Sequence, residues 1–168
     1  MNGSWLLLGT NLGDRKKNFE VALKLLVDND LKIIEKSSIY ESEPWGIADQ
    51  PWFWNMVIQV ETSLPVRELL AHCLHVETKM GRIRKEKWGE RLIDIDILYF
   101  DGLMLKEPDL EIPHPGIQER KFTLMPLVEK WPELIHPILL KNQLGLLNEL
   151  DSALVCRKTD VVLGHDID

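Results

Sequence analysis

The sequence contains few cysteines, no long apolar run and no phosphate-binding loop of the Walker type. Its two cysteines, Cys73 and Cys156, lie far apart and lack the spacing of a metal-binding pair. No apolar stretch approaches the roughly 20 residues that cross a bilayer, and the chain starts without a signal-like segment. These absences predict a cytoplasmic protein with no membrane partner, and they disfavour an ordinary P-loop kinase.

Excess positive charge is also missing. The 168 residues carry a formal net charge of -7, with a pI near 5.3. A field of this sign repels polyanions, so nucleic acid is not an expected partner. The hydrophobic content of 45% suffices for one substantial core. We therefore expect a single domain over residues 1–168, acting as a monomer.

Apolar periodicity and turn signals predict the order strand, helix, strand, strand, helix, strand. Asp14 can cap the first helix, and Pro65 suits the first turn of the second, which ends near Gly81. The predicted strands are Trp5–Leu8, Leu31–Tyr40, Phe53–Glu61 and Leu92–Phe100. This order is that of the ferredoxin-like α+β fold, βαββαβ, with a mixed or antiparallel sheet and helices packed on it.

The residues after position 100 predict smaller C-terminal additions. We expect a hairpin or edge strand within 103–112, a helix at Phe122–Trp131 and a short helix at Leu144–Leu150. Residues 152–168 carry no clear pattern. Their Asp and His side chains could bind a metal, but a solvated tail is the expected state.

Two carboxylates in the last predicted core strand form the first candidate site. Period-two geometry puts Asp94 and Asp96 on one face of the strand and Ile93, Ile95 and Ile97 on the other. Neighbouring carboxylates repel each other unless a cation lies between them, and magnesium prefers such oxygen ligands, with phosphate oxygens completing its shell. The alternative is a strand with one wet face.

A basic segment precedes this strand. Its cations are Arg82, Arg84, Lys85, Lys87 and Arg91. Guanidinium groups bind phosphate oxygens in pairs and stabilise charge on a transferring group, so this loop could clamp a triphosphate beside the carboxylates. The alternative is a solvated charged loop, because Glu86 and Glu90 dilute the cluster.

Aromatic and amide groups elsewhere could hold a flat heterocycle. Phe53 and Phe122 could stack on its faces while Asn55 reads its edge, although each of the aromatics could equally pack in the core. His114 lies between two prolines and could donate to a phosphate, but a turn histidine without a role is the ordinary expectation. Glu77 is read as a solvated helix residue.

Together these motifs resemble the 6-hydroxymethyl-7,8-dihydropterin pyrophosphokinase family of folate biosynthesis. The resemblance covers about residues 4–135, with the same order of motifs throughout. It rests on the segments Leu8–Gly13, Tyr40–Pro44, Gln50–Pro51 with Asn55, Gly81–Arg84, Trp88–Leu98, Ile112–Pro115 and Arg120–Leu127. The longest of these, Trp88–Leu98, contains the carboxylate pair.

The resemblance implies a reaction and a set of site residues. The chain would transfer pyrophosphate from ATP to the hydroxymethyl group of the pterin and release AMP. Asp94 and Asp96 would hold two magnesium ions and, with Arg82 and Arg91, form the catalytic set. ATP would be bound by Glu77, Arg82, Arg84, Trp88, Arg91, Ile97, His114 and Arg120. The pterin would be bound by Ser42, Glu43, Trp45, Gly46, Phe53, Asn55, Asp94 and Phe122.

Two other classes of function stay open from the residues alone. A nucleotidyltransferase also combines a small-residue loop with an Asp-x-Asp pair, but that loop usually lies close before the pair, whereas Gly9 and Asp94 are far apart here. A ferredoxin-like binding or assembly module would use the aromatic residues as an interface and the carboxylates only for solvation.

Overall fold

The structure is a computed structural model, which describes residues 3–28, 30–44, 49–81 and 92–164. In chain order its elements are β1 (Ser4–Thr10), α1 (Arg15–Leu26), β2 (Leu31–Lys36), β3 (Tyr40–Ser42), β4 (Phe53–Thr62), α2 (Val66–Lys79), β5 (Asp94–Phe100), β6 (Leu105–Glu107), β7 (Leu110–Ile112), α3 (Lys121–Lys130), α4 (Gln143–Glu149) and β8 (Cys156–Lys158). A single 3-10 turn at Ile117–Glu119 leads into α3. Within these ranges, no helix has the length and apolar character needed to cross a membrane.

The main sheet is built around β1. This strand pairs antiparallel with β4 on one side and β5 on the other, and β4 pairs antiparallel with both β2 and β3. The order β5, β1, β4, β2, connected through α1 and α2, is that of the ferredoxin-like fold. The fold predicted from the sequence is confirmed, and so is the hairpin within 103–112, formed by β6 and β7.

Alternation along the central strand separates two apolar layers. Leu6 and Leu8 point to the face that α1 and α2 cover. Trp5 and Leu7 point to the other face, where they pack with Leu124 of α3 and with residues of α4. The sheet is therefore the middle of three layers, and a side chain from β4 or β5 belongs to the layer of its partner in β1.

A β-bulge near the end of β5 separates two segments of this strand that pair with β1 in different registers. Trp5 lies opposite Tyr99 and Leu6 lies opposite Ile97, so Leu98 is the extra residue. Leu98 and Tyr99 both join the layer beneath α3 and α4. Before the bulge the alternation is undisturbed, and this regular part of the strand carries the two aspartates.

The single strand predicted over 31–40 is wrong, because it is interrupted between Lys36 and Tyr40. Lys36 lies opposite Ile58 and Tyr40 lies opposite Asn55, which leaves three residues of this segment facing two of β4. A side-chain hydrogen bond accommodates the extra residue: Ser37 Oγ accepts from the backbone N–H of Val57 at 3.0 Å. The backbone N–H of Ser37 still donates to Val57 O at 2.9 Å, so the Ser37 hydroxyl replaces one backbone acceptor of the regular ladder.

The expected solvated tail is also wrong for part of its length. β8 pairs antiparallel with β3, and Cys156 is buried there. Val161 and Leu163 pack partly buried against the core, whereas Asp160 is exposed. The physical reason is that β3 would otherwise present unpaired backbone groups at the sheet edge. Residues 165–168 lie outside the described residues.

Candidate active site

A pocket opens on the α3 side of the sheet, where β1, β3, β4 and β5 lie close to the start of α3. Its walls are formed by Leu7, Gly9, Ser42, Glu43, Phe53, Asn55, Asp94, Asp96, Arg120 and Phe122. All of these except Leu7 and Gly9 are residues that the sequence singled out. Predicted pterin, metal and ATP residues therefore converge on one cavity.

The register of the sheet explains the position of the aspartates. Asp94 lies opposite Gly9 and Asp96 lies opposite Leu7, so both carboxylates share the face of Leu7. Gly9 in turn lies opposite Asn55 on its other side. A Cβ atom at position 9 would lie 3.4 Å from Asn55 Oδ1, so glycine keeps the floor open between amide and carboxylate.

The wall formed by β3 and β4 is polar and preorganised. Asn55 Nδ2 donates to Ser42 Oγ at 2.8 Å, and both side chains are buried. This bond leaves Asn55 Oδ1 facing Gly9 on the pocket floor. Phe53 at the start of β4 and Phe122 at the start of α3 complete the lining. The pocket therefore combines two rings with an oriented amide, which suits a flat heterocycle.

Glu77 lies behind the carboxylate pair, outside the pocket lining. The prediction of a solvated residue is wrong, because Glu77 lies on the side of α2 that faces β5 and is only 3% exposed. Its Oε1 accepts from the backbone N–H of Ile95 at 2.9 Å, the residue between Asp94 and Asp96. A buried carboxylate thus anchors the segment of β5 that carries the pair, while a role in binding ATP stays a prediction.

Ile97 and His114, both predicted to bind ATP, lie outside the pocket lining. The Ile97 side chain is buried in the layer under α1 and α2, on the face opposite to the pocket. His114 follows the Ile112–Pro113 cis peptide bond, and its backbone N–H donates to Leu98 O at 2.9 Å. Neither residue lines the pocket, and their contacts with ATP remain predictions.

The protonation state of His114 follows from its surroundings. Burial lowers its pKa to about 4, the charge of Arg120 acts in the same direction, and Asp94 opposes both. The backbone N–H of Gly116 donates to Nδ1 at 3.0 Å. The neutral ring therefore carries its proton on Nε2, as a hydrogen-bond donor.

Arg120 lines the pocket and is held there by close packing. A Cβ atom at Gly116 would lie 2.7 Å from Arg120 Nε, so glycine makes room for the guanidinium. The Arg120 Cζ atom also lies 5.9 Å from the centre of the Phe122 ring. A cation placed beside the pocket in this way is suited to anionic oxygens of a ligand.

Several predicted site residues lie outside the described residues. They are Trp45 and Gly46, in the segment 45–48, and Arg82, Arg84, Trp88 and Arg91, in the segment 82–91. Their proposed contacts with the pterin and with ATP remain predictions.

The carboxylate pair fits a divalent cation that completes its shell elsewhere. Within the described residues, no group of three or more His, Cys, Asp and Glu side chains is arranged to hold a metal ion. Magnesium often binds through only one or two carboxylates, with waters and substrate phosphates as the other ligands. Asp94 and Asp96, side by side on the pocket wall, match that mode of binding.

Leu7 and Gly9 line the pocket but were not among the site residues predicted from the sequence. Gly9 belongs to a segment that contributed to the family resemblance, but it received no role of its own. Its position becomes clear only when the register of β1 with both neighbours is known. No local signal could have identified Leu7, which reads as an ordinary core residue.

Comparison with known proteins identifies the family. Residues 5–132 match the model of the 7,8-dihydro-6-hydroxymethylpterin-pyrophosphokinases, or HPPK. The 2-amino-4-hydroxy-6-hydroxymethyldihydropteridine pyrophosphokinase of Methylorubrum extorquens is 37% identical over 136 residues, which cover 80% of this chain and 86% of that protein. The chain belongs to this family, as the motifs predicted. It is a pyrophosphokinase of folate biosynthesis.

Other relatives differ in length. The Aquifex aeolicus enzyme of the same name is 41% identical over 80% of this chain and 83% of its own. The folic acid synthesis protein FOL1 of Dictyostelium discoideum is 42% identical over 80% of this chain, but the match covers only 20% of that protein. Related sequences therefore occur both as short chains and as parts of much longer ones.

Solved structures support the fold. An HPPK-DHPS structure described as a complex with substrates superposes with a TM-score of 0.69 at 19% identity, over 88% of this chain and 43% of that one. HPPK-DHPS of Plasmodium falciparum gives a TM-score of 0.66 at 21% identity, with the same coverage. At this level of identity the likeness concerns the arrangement of strands and helices.

The bond from Ile95 to Glu77 leads to a prediction about stability. Replacing Glu77 by Ala removes the acceptor and leaves a buried N–H group in β5, at an expected cost of about 1–3 kcal/mol in the free energy of unfolding. Glu77→Gln keeps an oxygen acceptor and should lose clearly less. Urea denaturation of both variants measures the difference, and equal losses would contradict an anchoring bond.

The lowered pKa of His114 predicts a pH dependence of folding. Between about pH 6.5 and 4, the unfolded chain binds a proton at this residue that the folded chain does not, so stability is complete above this window and falls as the pH decreases through it. His114→Gln should therefore lose roughly 1–3 kcal/mol less stability than the wild type between pH 7 and 4.5. Urea midpoints across this range measure the slope. The exposed His75→Gln is the control, and parallel curves for wild type and H114Q would refute the assignment.

Proposed function

We propose that the pocket is where the pterin meets the phosphates of ATP, with Asp94 and Asp96 at the boundary between the two substrates. The observation that carries this proposal is the convergence of a carboxylate pair, an oriented amide and two phenyl rings in one cavity. Pyrophosphoryl transfer to a flat heterocyclic alcohol needs metal ligands near the phosphates and a shaped polar slot for the ring, and these groups can supply both. The two substrates in this proposal, ATP and the pterin, are those of the family's reaction.

The pterin stacks between Phe53 and Phe122 in this proposal. Asn55 reads the hydrogen-bonding edge of the ring, because Ser42 fixes the amide through the bond at 2.8 Å. An amide that is already oriented loses little freedom on binding and discriminates against rings with a different edge. Glu43 and Ser42, on the same wall, contribute further polar contacts.

Asp94 and Asp96 hold magnesium in this proposal, and two ions are expected. Bound magnesium would neutralise phosphate charge and orient the β-phosphorus for in-line attack by the pterin hydroxyl. The residues of this chain supply the rest of the environment. Arg120 offers a guanidinium in the pocket lining, and the neutral His114 offers an N–H that can donate to a phosphate oxygen.

We also infer that the chain works in the cytoplasm, and we expect it to act as a monomer. Cys73 and Cys156 are both free and buried, as suits a reducing compartment.

The products distinguish this function from its alternatives. Purified protein incubated with ATP, magnesium and 6-hydroxymethyl-7,8-dihydropterin should form AMP only when the pterin is present, with no ADP. The measurement is chromatographic quantification of AMP, ADP and pyrophosphate with and without the pterin. Release of pyrophosphate would indicate a nucleotidyltransferase, and the absence of turnover would indicate a binding module.

The role of Asp96 leads to a separate prediction. Asp96→Asn removes one charged ligand and should reduce turnover about 100-fold or more, because metal stabilisation of the transition state amounts to several kcal/mol. Raising the magnesium concentration should restore part of the activity. Asp101→Asn makes the same charge change in the turn after β5, away from the pocket, and is the matched control. Full turnover by D96N would rule out the proposed role.

A further inference from the structure

A strand outside the family match borders the proposed pterin pocket. The match ends at residue 132, whereas β8 lies at Cys156–Lys158. β8 pairs with β3 on the side opposite to β4, so β3 is held between two strands. Ser42 and Glu43, at the end of β3, belong to the pocket wall.

Glu43 is fixed by two hydrogen bonds to one residue that precedes β8. The backbone N–H of Glu43 donates to Val155 O at 3.0 Å. The backbone N–H of Val155 donates in return to Glu43 Oε1 at 2.9 Å. Main chain and side chain of Glu43 are thus both tied to the segment that leads into the C-terminal strand.

A second connection runs on the opposite face of the sheet, through Glu41. Its Oε1 accepts from Arg157 Nη2 at 2.7 Å. Its Oε2 accepts from Trp54 Nε1 at 3.0 Å and from Arg15 Nη1 at 3.1 Å. The carboxylate of Glu41 therefore joins β8, β4 and the first turn of α1.

The two arginines of this cluster also hold the residue before Phe53. The Arg157 Cζ atom lies 5.4 Å from the centre of the Trp52 ring. Arg15 Nη1 donates to Trp52 O at 3.0 Å, while its Cζ atom lies 4.2 Å from the Trp54 ring. Trp52 is thus held through its ring and its carbonyl, directly before the phenyl group that lines the pocket.

We propose that β8 is a positioning strand for the substrate pocket. In this proposal Arg157 orients Trp52 and thereby fixes the position of the adjacent Phe53 ring in the pocket wall. This inference rests on the proposed function, since the ligand of the wall is taken to be the pterin. Arg157 does not touch the pocket, and it acts through the residues that do. The site is therefore completed by a segment that the family match leaves out.

Arg157 is well suited to a test because it contributes little to global stability. Its side chain is 65% exposed, and exposed ion pairs stabilise a fold only weakly. Arg157→Ala should remain folded. The matched control is Lys158→Ala, which removes the same charge from the next residue of β8, where Lys158 Nζ lies 3.7 Å from Glu129 Oε2.

The experiment compares steady-state kinetics of the full chain and its variants. Arg157→Ala should raise KM for the pterin about two- to fivefold, the size expected from an exposed cation–π contact and ion pair, with kcat and KM for ATP unchanged. Arg157→Lys keeps the ion pair and should restore at least part of the affinity. Lys158→Ala should match the wild type. Thermal unfolding of each variant provides the accompanying stability measurement.

The outcomes separate this inference from the function on which it rests. A selective rise in the pterin KM that Arg157→Lys reduces supports the positioning role. If the wild type is active and the KM for the pterin is the same in wild type, R157A and K158A, the positioning role is overturned but the proposed function is not. A general loss of kcat and of thermal stability in R157A also overturns it, because the strand would then serve stability only. A wild-type chain without pterin-dependent AMP formation overturns both proposals.

Discussion

The antiparallel register that places Gly9 between Asn55 and Asp94 is the constraint on which the site depends. Side chains alternate along a strand, so a shift by one residue in either pairing would turn the amide or the carboxylates into the opposite layer. Buried leucines in β1 make such a shift costly on both faces. Core packing thus fixes the relative position of the polar groups.

Polar groups buried around this register are satisfied by specific partners. Ser42 accepts from Asn55, and Glu77 accepts from the backbone of Ile95. Within the described residues, the buried side-chain atoms without a hydrogen bond are Trp5 Nε1, Gln118 Oε1 and Thr123 Oγ1. None of these residues lines the pocket, and the bonds from Asn55 to Ser42 and from Ile95 to Glu77 orient two parts of the site before a ligand arrives.

The sequence predicted the core elements and most of the pocket for clear physical reasons. The periodicity that placed Asp94 and Asp96 on one face depends only on strand geometry, and the family motifs brought Asn55 and Phe122 to the same ligand. Local patterns could not reveal the interruption at Ser37, because it results from a mismatch with β4. Gly9, Glu77 and β8 required knowledge of their long-range neighbours, which a single sequence does not contain.

The pairing of β8 with β3 has a consequence for the order of events during synthesis. Ribosomes release the chain from its N-terminus, and β1, β4 and β5 can meet before residues 156–158 have emerged. Until that moment the outer edge of β3 presents its backbone groups to the surroundings, including to other nascent chains. The bonds between Glu43 and Val155 can form only after β8 has docked, and until then the outer edge of β3 is open to edge-to-edge association.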